Sequence, residues 1–314
     1  MSKVLVIIKS MGIGDLCILI ANIHAISKKI GNKVTVLAQR NTKAHAILNN
    51  DPNVENVIEL DEKEIKGFFN IIKKIKPQKF DQSYIYSDSI RLYLISRLSG
   101  IKENFHYKFF SKRGKNFFKT AKEFTEKILN TEIDPQSKIY CDSKDIEEAK
   151  RKFNITNVTK NIICGISASG PTKRWDVNNY IKLFENLDKK FQCKFFLAAG
   201  PNDENLIKQI MNSSIGNKCI SCSKMNISEI IPIIGACKYG IFNDTGFAHI
   251  SSALGLKCLV LFMDSPAAAY GTYSKNISVI VPDGETIESC GHNTRGKDRI
   301  SFDKVYKKSL ELIN

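Results

Sequence analysis

The chain has 314 residues, 43% of them hydrophobic, and a formal net charge of +15, enough length and apolar content for two domains with separate cores. No run approaches the roughly 18 consecutive apolar residues of a membrane-spanning helix, and the apolar start Val4 to Ile8 is too short for a secretory signal, so a cytoplasmic location is expected. The charge excess, almost all lysine, suits anionic partners such as nucleic acid, acidic lipid headgroups or phosphorylated sugars, and equally suits a plain solvated basic surface.

In chain order, Lys3 to Lys9 reads as a buried strand. Asp15 to Ile30 follows as a helix, with Leu16, Leu19, Ile20, Ile23 and Ile26 at helical spacing. Lys33 to Ala38 and Val54 to Leu60 are strands, separated by a short helix over Thr42 to Asn49 that stops near Asp51-Pro52. A helix over Glu64 to Ile75, a strand over Asp81 to Tyr86 and a helix over Ile90 to Leu98 come next. Lys102 to Lys122 interleaves Lys108, Lys112, Arg113, Lys115 and Lys119 with Phe105, Tyr107, Phe109, Phe110, Phe117 and Phe118, and reads as a mobile loop followed by a helix. Near Asn154 to Asn161 the strand-helix pattern restarts. Strands are expected over Ile162 to Ile166, Phe195 to Ala198, Tyr239 to Phe242 and Lys257 to Phe262. Helices are expected after Asp176 (an N-cap), over Ile227 to Ile234 behind the capping pair Asn226 and Glu229, over Gly246 to Leu254, and over Phe302 to Ile313 behind Ser301, with Ile300 stapled onto Val305. Such alternation implies right-handed crossovers and mostly parallel sheets. The expected domains are 1–157 and 158–314, the last helix returning to pack on the first. Two facing α/β halves leave a cleft outside the carboxyl ends of their strands.

Three segments just after predicted strands carry chemistry. In Ser10-Met11-Gly12-Ile13-Gly14-Asp15, Gly12 and Gly14 allow close backbone approach to a ligand. Cys17 stands where the third glycine of a dinucleotide fingerprint belongs, so that motif is only partly met. Asp15 is either a favourable charge at a helix start or a general base. Gly165 to Trp175 joins a small-residue loop, Ser167-Ala168-Ser169-Gly170, to Thr172, two cations and the only tryptophan. Exposed amides and Lys173 suit a phosphate, although the spacing is not that of a P-loop. In Asn243-Asp244-Thr245-Gly246-Phe247-Ala248-His249, a strand ends and a helix begins, which makes an anion site of the first-turn amides and the Thr245 hydroxyl. His249, four residues on, shares the face of Thr245.

The nine cysteines are odd in number and mostly lie in apolar runs, as free buried thiols do. Cys219 and Cys222 have metal or redox spacing, and Cys290 and His292 are further conceivable ligands, but no second such pair completes a site. No Asp-x-Asp occurs, so neither metal nor cofactor is called for. A nucleic-acid binder would need a reading element that the sequence does not offer. An NAD-dependent oxidoreductase would need an acidic residue after the second strand, where Gln39-Arg40 stand. A nucleotide-sugar epimerase would use similar donor contacts and remains an alternative.

These segments carry a resemblance. Gly14-Asp15 after the first strand, Lys173-Arg174-Trp175 in mid-chain, and Asn243-Asp244-Thr245-Gly246 with His249 and Ala253-Leu254-Gly255 are similar, in order and spacing, to glycosyltransferase family 9, the ADP-heptose:lipopolysaccharide heptosyltransferases. The resemblance implies an α/β fold of the GT-B type, two Rossmann-like domains whose parallel sheets face a central cleft. It implies an inverting, metal-independent transferase using a nucleotide-sugar, ADP-heptose, and an anionic glycolipid acceptor at the inner membrane surface, with no nucleic acid partner. Asp15 matches the base. Lys173 matches a donor-phosphate lysine, with Ser169 and Thr172 in the same loop, and Asp244, Thr245, Gly246 and His249 match the donor element. Lys73, Lys74, Lys112 and Arg113 are candidate acceptor contacts, and the aromatics of 105–118 are candidates to touch the membrane. The chain departs from the family pattern at Asn22 and Asp176, where proline is usual, and at Met263-Asp264-Ser265-Pro266, where Gly-Pro is usual.

Overall fold

The computed structural model describes residues 2–9, 12–109, 116–200 and 203–314, and the chain divides into two compact units, Met1–Tyr140 and Cys141–Asn314. In the first unit the elements run β1 (Val4–Ile8), α1 (Ile13–Ile30), β2 (Val34–Gln39), α2 (Ala44–Leu48), β3 (Val54–Leu60), α3 (Glu62–Lys66), α4 (Phe68–Ile75), β4 (Gln82–Tyr86), α5 (Ile90–Leu98), β5 (Glu103–His106) and α6 (Phe117–Leu129). The five strands are all parallel, in the order β3-β2-β1-β4-β5. β1 is buried throughout, as a central strand covered on both faces must be. Leu5, Ile7, Leu37 and Ile85 meet Ile71 and Ile75 of α4 and Leu92 and Ile95 of α5 in one cluster.

The second unit runs α7 (Ser143–Lys152), β6 (Lys160–Gly165), α8 (Val177–Phe191), β7 (Cys193–Ala198), α9 (Glu204–Met211), β8 (Cys219–Ser221), α10 (Ile227–Ala236), β9 (Tyr239–Asn243), α11 (Gly246–Ala253), β10 (Lys257–Leu261), α12 (Ala267–Tyr270), β11 (Ile277–Ile280) and α13 (Phe302–Ile313). Its six strands are parallel in the order β11-β10-β9-β6-β7-β8. Ile162, Cys164, Phe195, Leu197, Ile241 and Leu259 form the sheet side of its core, with Phe184 of α8 and Val305 and Ile313 of α13 packed on them.

The caps follow the sequence. Asp176 accepts from Asn178 N, Asn226 and Glu229 close a reciprocal capping box, and Ser301 accepts from Lys304 N. Elsewhere the structure differs from expectation. The helix expected over Glu64 to Ile75 is two helices, because Gly67 takes an extended conformation with ψ 100 between them. The division falls after Tyr140, ahead of the expected boundary at 157, because α7 packs on α10 of the second unit. The last helix uses its buried stripe, Val305, Ser309, Leu312 and Ile313, within its own unit, against β9, β10 and α8. β5, α7, α9, β8, α12 and β11 have no counterpart in the expected elements. No helix among the described residues is long and apolar enough to cross a membrane.

Candidate functional site

Each sheet is wound in two directions. In the first, the chain steps from β1 to β3 on one side and from β4 to β5 on the other, so the order reverses between β1 and β4. In the second the reversal lies between β6 and β9. Loops at the carboxyl ends of such strands diverge and leave a crevice, the usual ligand site of doubly wound sheets. All three sequence segments follow strands at these two reversals.

In the first unit, Gly12 caps α1 in an extended conformation (φ −111, ψ 154), which any residue can adopt. A Cβ there would meet only the Asp15 carboxyl among the described residues, with Oδ2 at an ordinary contact distance of 3.4 Å. Gly14 and half-buried Asp15 lie in the first turn of α1, where the positive helix end favours a carboxylate. Burial pushes the Cys17 thiol pKa up, and the neighbouring Asp15 charge pushes it further. Lys73 and Lys74 sit in the last turn of α4, and Lys74 is paired with Glu64, which forms a capping box with Asp61 just after β3. Lys112 and Arg113 lie outside the described residues.

In the second unit the two remaining segments meet on a buried asparagine. Asn243, the last residue of β9, is fully buried. Its Oδ1 accepts from Trp175 N at 3.2 Å and from Tyr180 Oη at 2.9 Å, and its Nδ2 donates to Ile166 O at 2.8 Å. One side chain thus fastens the loop after β6 to the end of β9. Trp175 secures the other end of that loop by donating Nε1 to Ile300 O at 3.1 Å, with its ring parallel to Phe302. Strand pairing adds a third tie. Gly165 lies opposite Phe242, and a Cβ at Gly165 would come within 2.6 Å of the Phe242 ring and 3.3 Å of Thr245 Oγ1. Sequence reasoning named neither Asn243 nor Gly165 as a site organiser; the signal available was a polar residue ending an otherwise apolar strand.

Thr245 caps α11 by accepting from Phe247 N at 3.1 Å, while Ala248 N donates to the Thr245 carbonyl at 3.1 Å. Two of the first-turn amides expected to face an anion, those of Phe247 and Ala248, are thereby satisfied by Thr245 itself. As an acceptor in this bond, the Thr245 hydroxyl keeps its own proton for a ligand. His249 is buried. Its Nδ1 pairs with Tyr273 Oη at 3.0 Å, and its Nε2 stands 3.8 Å from Asp244 Oδ1. Burial pushes the Asp244 carboxyl up, but His249 and the charge of Lys173 outweigh it and hold the pKa below the usual value. The aspartate is therefore ionised at neutral pH.

A further carboxylate stands here, one not singled out as a site residue from the sequence. Asp264 follows β10, and its Oδ2 accepts from Thr172 Oγ1 at 2.6 Å while its Oδ1 accepts from Arg295 N at 3.0 Å. Burial opposes the charge, but these bonds and Lys173 nearby lower the Asp264 pKa. Asn293 and Arg295 both have positive φ, a backbone form that turns amides toward an anion. The one proton of the Thr172 hydroxyl is thus donated to Asp264. Arg174 pairs with Asp203 at 2.8 Å and donates to Ala168 O, bracing the loop, while Ser169 at its tip is exposed. Lys173 is the cation whose charge acts on both Asp244 and Asp264. The cysteines raised as ligands are used locally: Cys219 donates to Ile215 O and Cys290 to Phe262 O. Among the described residues no group of three or more His, Cys, Asp or Glu side chains could hold a metal.

Comparison with known proteins gives a consistent picture. Residues 110–298 match glycosyltransferase family 9 (heptosyltransferase). Lipopolysaccharide heptosyltransferase 1 of Campylobacter coli is 22% identical over 323 residues, covering 94% of this chain and 93% of that one. The structure of a family 9 glycosyltransferase from Veillonella parvula superposes with a TM-score of 0.83 at 16% identity, covering 99% and 97% of the two chains. That of the Escherichia coli ADP-heptose lipopolysaccharide heptosyltransferase II gives a TM-score of 0.75 at 18% identity, covering 99% and 98%. The two parallel sheets share the GT-B fold of these structures.

Proposed function

The chain belongs to glycosyltransferase family 9, the heptosyltransferase family, and from that premise we propose that it transfers a heptose from ADP-heptose to a lipopolysaccharide-core acceptor, with inversion and without a metal ion. The reading is supported by one observation above the rest: the loops after β6 and β9 are tied together through Asn243, and the Lys173 charge acts on Asp244, the residue before the Thr245 cap of α11, at the strand reversal where a nucleotide diphosphate belongs.

The second unit binds the donor. Lys173 faces the diphosphate as a compact charge, and the Thr245 hydroxyl with the adjoining backbone of Gly246 completes the anion contact. Asp244 accepts hydroxyls of the donor, kept ionised and oriented by His249. The first unit presents the acceptor. An acceptor hydroxyl attacks the anomeric carbon, Asp15 takes its proton as the new glycosidic bond forms, and the bonding pair of the breaking bond leaves with the diphosphate. General base catalysis of this kind contributes about 10²–10⁴-fold. Charge that grows on the leaving group is met by a fixed cation and a fixed dipole rather than by a metal.

The test is a thermal-shift and calorimetric screen against ADP, UDP, GDP and CMP, followed by transfer and donor-hydrolysis assays with the matching sugar nucleotides. ADP should stabilise the protein, transfer should persist in EDTA, and Asp15→Asn should lose transfer by at least about 10²-fold while ADP affinity stays as it was. Undiminished turnover in Asp15→Asn would remove the base, and strict Mg²⁺ dependence would remove the fixed-cation scheme.

A further inference from the structure

The first unit carries an apolar surface that its own core does not account for. Six large hydrophobic side chains stand exposed among the described residues, and four belong to α4 and α5: Phe69 (71% exposed), Ile90 (41%), Leu94 (44%) and Leu98 (56%). Ile90, Leu94 and Leu98 recur every four residues and so share one face of α5. The opposite face, with Leu92, Ile95 and Ser96, is the buried one. A helix that covers a sheet in water needs a single apolar stripe; α5 has two.

The charges around this stripe are of one sign. Neither α4 nor α5 contains an acidic residue, and the two helices pack on each other. Their charged residues are Lys73, Lys74, Arg91 and Arg97, with Lys66 before them and Lys102 after. Arg97 and Lys102 are held together, Arg97 Nη1 donating to Lys102 O at 3.0 Å. The neighbouring carboxylates are otherwise engaged or partly covered: Glu64 pairs with Lys74, Glu103 accepts from Gln82, and Asp88 is half-buried ahead of α5. Three of the aromatics expected to touch the membrane pack against neighbouring rings, and Phe110 lies outside the described residues. Phe105 packs on Tyr84, Tyr107 on Phe124 and Tyr86, and Phe109 stacks on His106 at 4.2 Å.

We infer that the outer face of α5, together with Phe69 of α4, seats on an anionic lipid surface. Ile90, Leu94, Leu98 and Phe69 enter the boundary between headgroups and acyl chains, and Arg97, Lys73 and Lys102 meet the headgroup phosphates. Leucine and isoleucine offer neither stacking nor base-edge chemistry, which sets nucleic acid aside. A rim in which cations outnumber acids, with no acid on either helix, fits a polyanionic plane better than a second copy of the same basic face. A lipid-borne acceptor would give this seat its purpose, but the surface argument does not depend on the donor site.

The test is sedimentation of the full-length protein with vesicles of phosphatidylglycerol and phosphatidylethanolamine, compared with phosphatidylcholine alone. Binding should appear only on the anionic vesicles and weaken as NaCl rises. The double variant Leu94→Ser/Leu98→Ser should lose about tenfold or more in partitioning, with Ile90→Ser as the milder variant if the double one melts early. Val158→Ser, an exposed apolar position of the second unit, should bind like the wild type. ADP affinity, measured in parallel, should be the same in all of them and reports separately on the donor site. A wild-type protein that ignores anionic vesicles, or a double variant that sediments undiminished, overturns the inference. So does a change of mass from dimer to monomer in light scattering, which would make the face a self-association surface.

Discussion

At the scale of single residues, the second-unit site depends on side chains that never need to touch a ligand. Asn243 saturates three buried groups at once, so removing it strands an indole-residue amide, a tyrosine hydroxyl and a carbonyl. Asn243→Ala should cost about 2–4 kcal/mol, lowering Tm by roughly 5–15 °C, and should weaken ADP binding because the loop of Lys173 loses its anchor; calorimetry and a melting curve read both. Asp264 makes the opposite prediction. It places a negative charge beside Lys173, where a diphosphate would add more of the same sign. Asp264→Asn keeps the side chain's shape and one acceptor, and should tighten ADP about three- to tenfold, the size of one like-charge contact screened as in water. A looser complex in titration calorimetry would show that Asp264 serves the ligand rather than opposing it. Neither of these two residues was legible as part of the site. Lys173, Asp244, Thr245 and His249 could be read because strand ends and helix starts leave a local signature, whereas the partners of Asn243, Trp175 and Asp264 lie 63 to 125 positions away in sequence or, for Asp264, 31 and 92 positions away.

At the scale of elements, close approach of β6 and β9 is set by glycine. Gly165 lies against the Phe242 ring, and a methyl group there would stand 2.6 Å from Cδ1, a distance that real side chains do not tolerate. Gly165→Ala should therefore push the two strands apart at their carboxyl ends, destabilise the unit by about 1–3 kcal/mol and displace Thr245, which is 3.3 Å from the same position. The expected measurement is a lower melting temperature together with a weaker ADP complex; normal stability with normal binding would mean the ring can turn aside. Helices behave differently because their signals are local. The capping boxes and N-caps of α8, α10 and α13 stand where short sequence patterns put them. The break at Gly67 and the short strands β8 and β11 escaped notice because three or four residues carry no periodicity to count.

At the scale of the whole molecule, titration follows burial. Eight of the nine free cysteines are buried and Cys141 is half-buried. Burial pushes the thiols of Cys193, Cys219 and Cys222 up to about 12 and that of Cys141 to about 11. A pKa raised on folding gives stability that is complete below the unfolded value of about 8.5 and is lost as pH climbs toward the folded one. The lowered carboxyls of Asp244 and Asp264 act in the reverse sense: their contribution is present above about pH 4 and disappears as pH falls through their folded values. Stability should thus plateau between about pH 5 and 8 and fall on both sides, as a series of melting curves would show. In the native state at pH 7, maleimide should modify Cys141 slowly and the rest hardly at all, with all nine reacting in denaturant; rapid native labelling of several thiols would contradict the packing. The sequence by itself determined that two parallel α/β units would form, since strand-helix alternation and buried apolar runs are local properties. It determined equally where Asp15, Lys173 and the Asp244–His249 segment stand on those elements. Only the tertiary structure decided that Lys74 pairs with Glu64, that Asp264 feels the charge of Lys173, and that α5 keeps an apolar face in water. Those outcomes follow from sheet order and from which helix face the core consumes, and both are fixed by contacts between residues far apart in the chain, which no local pattern encodes.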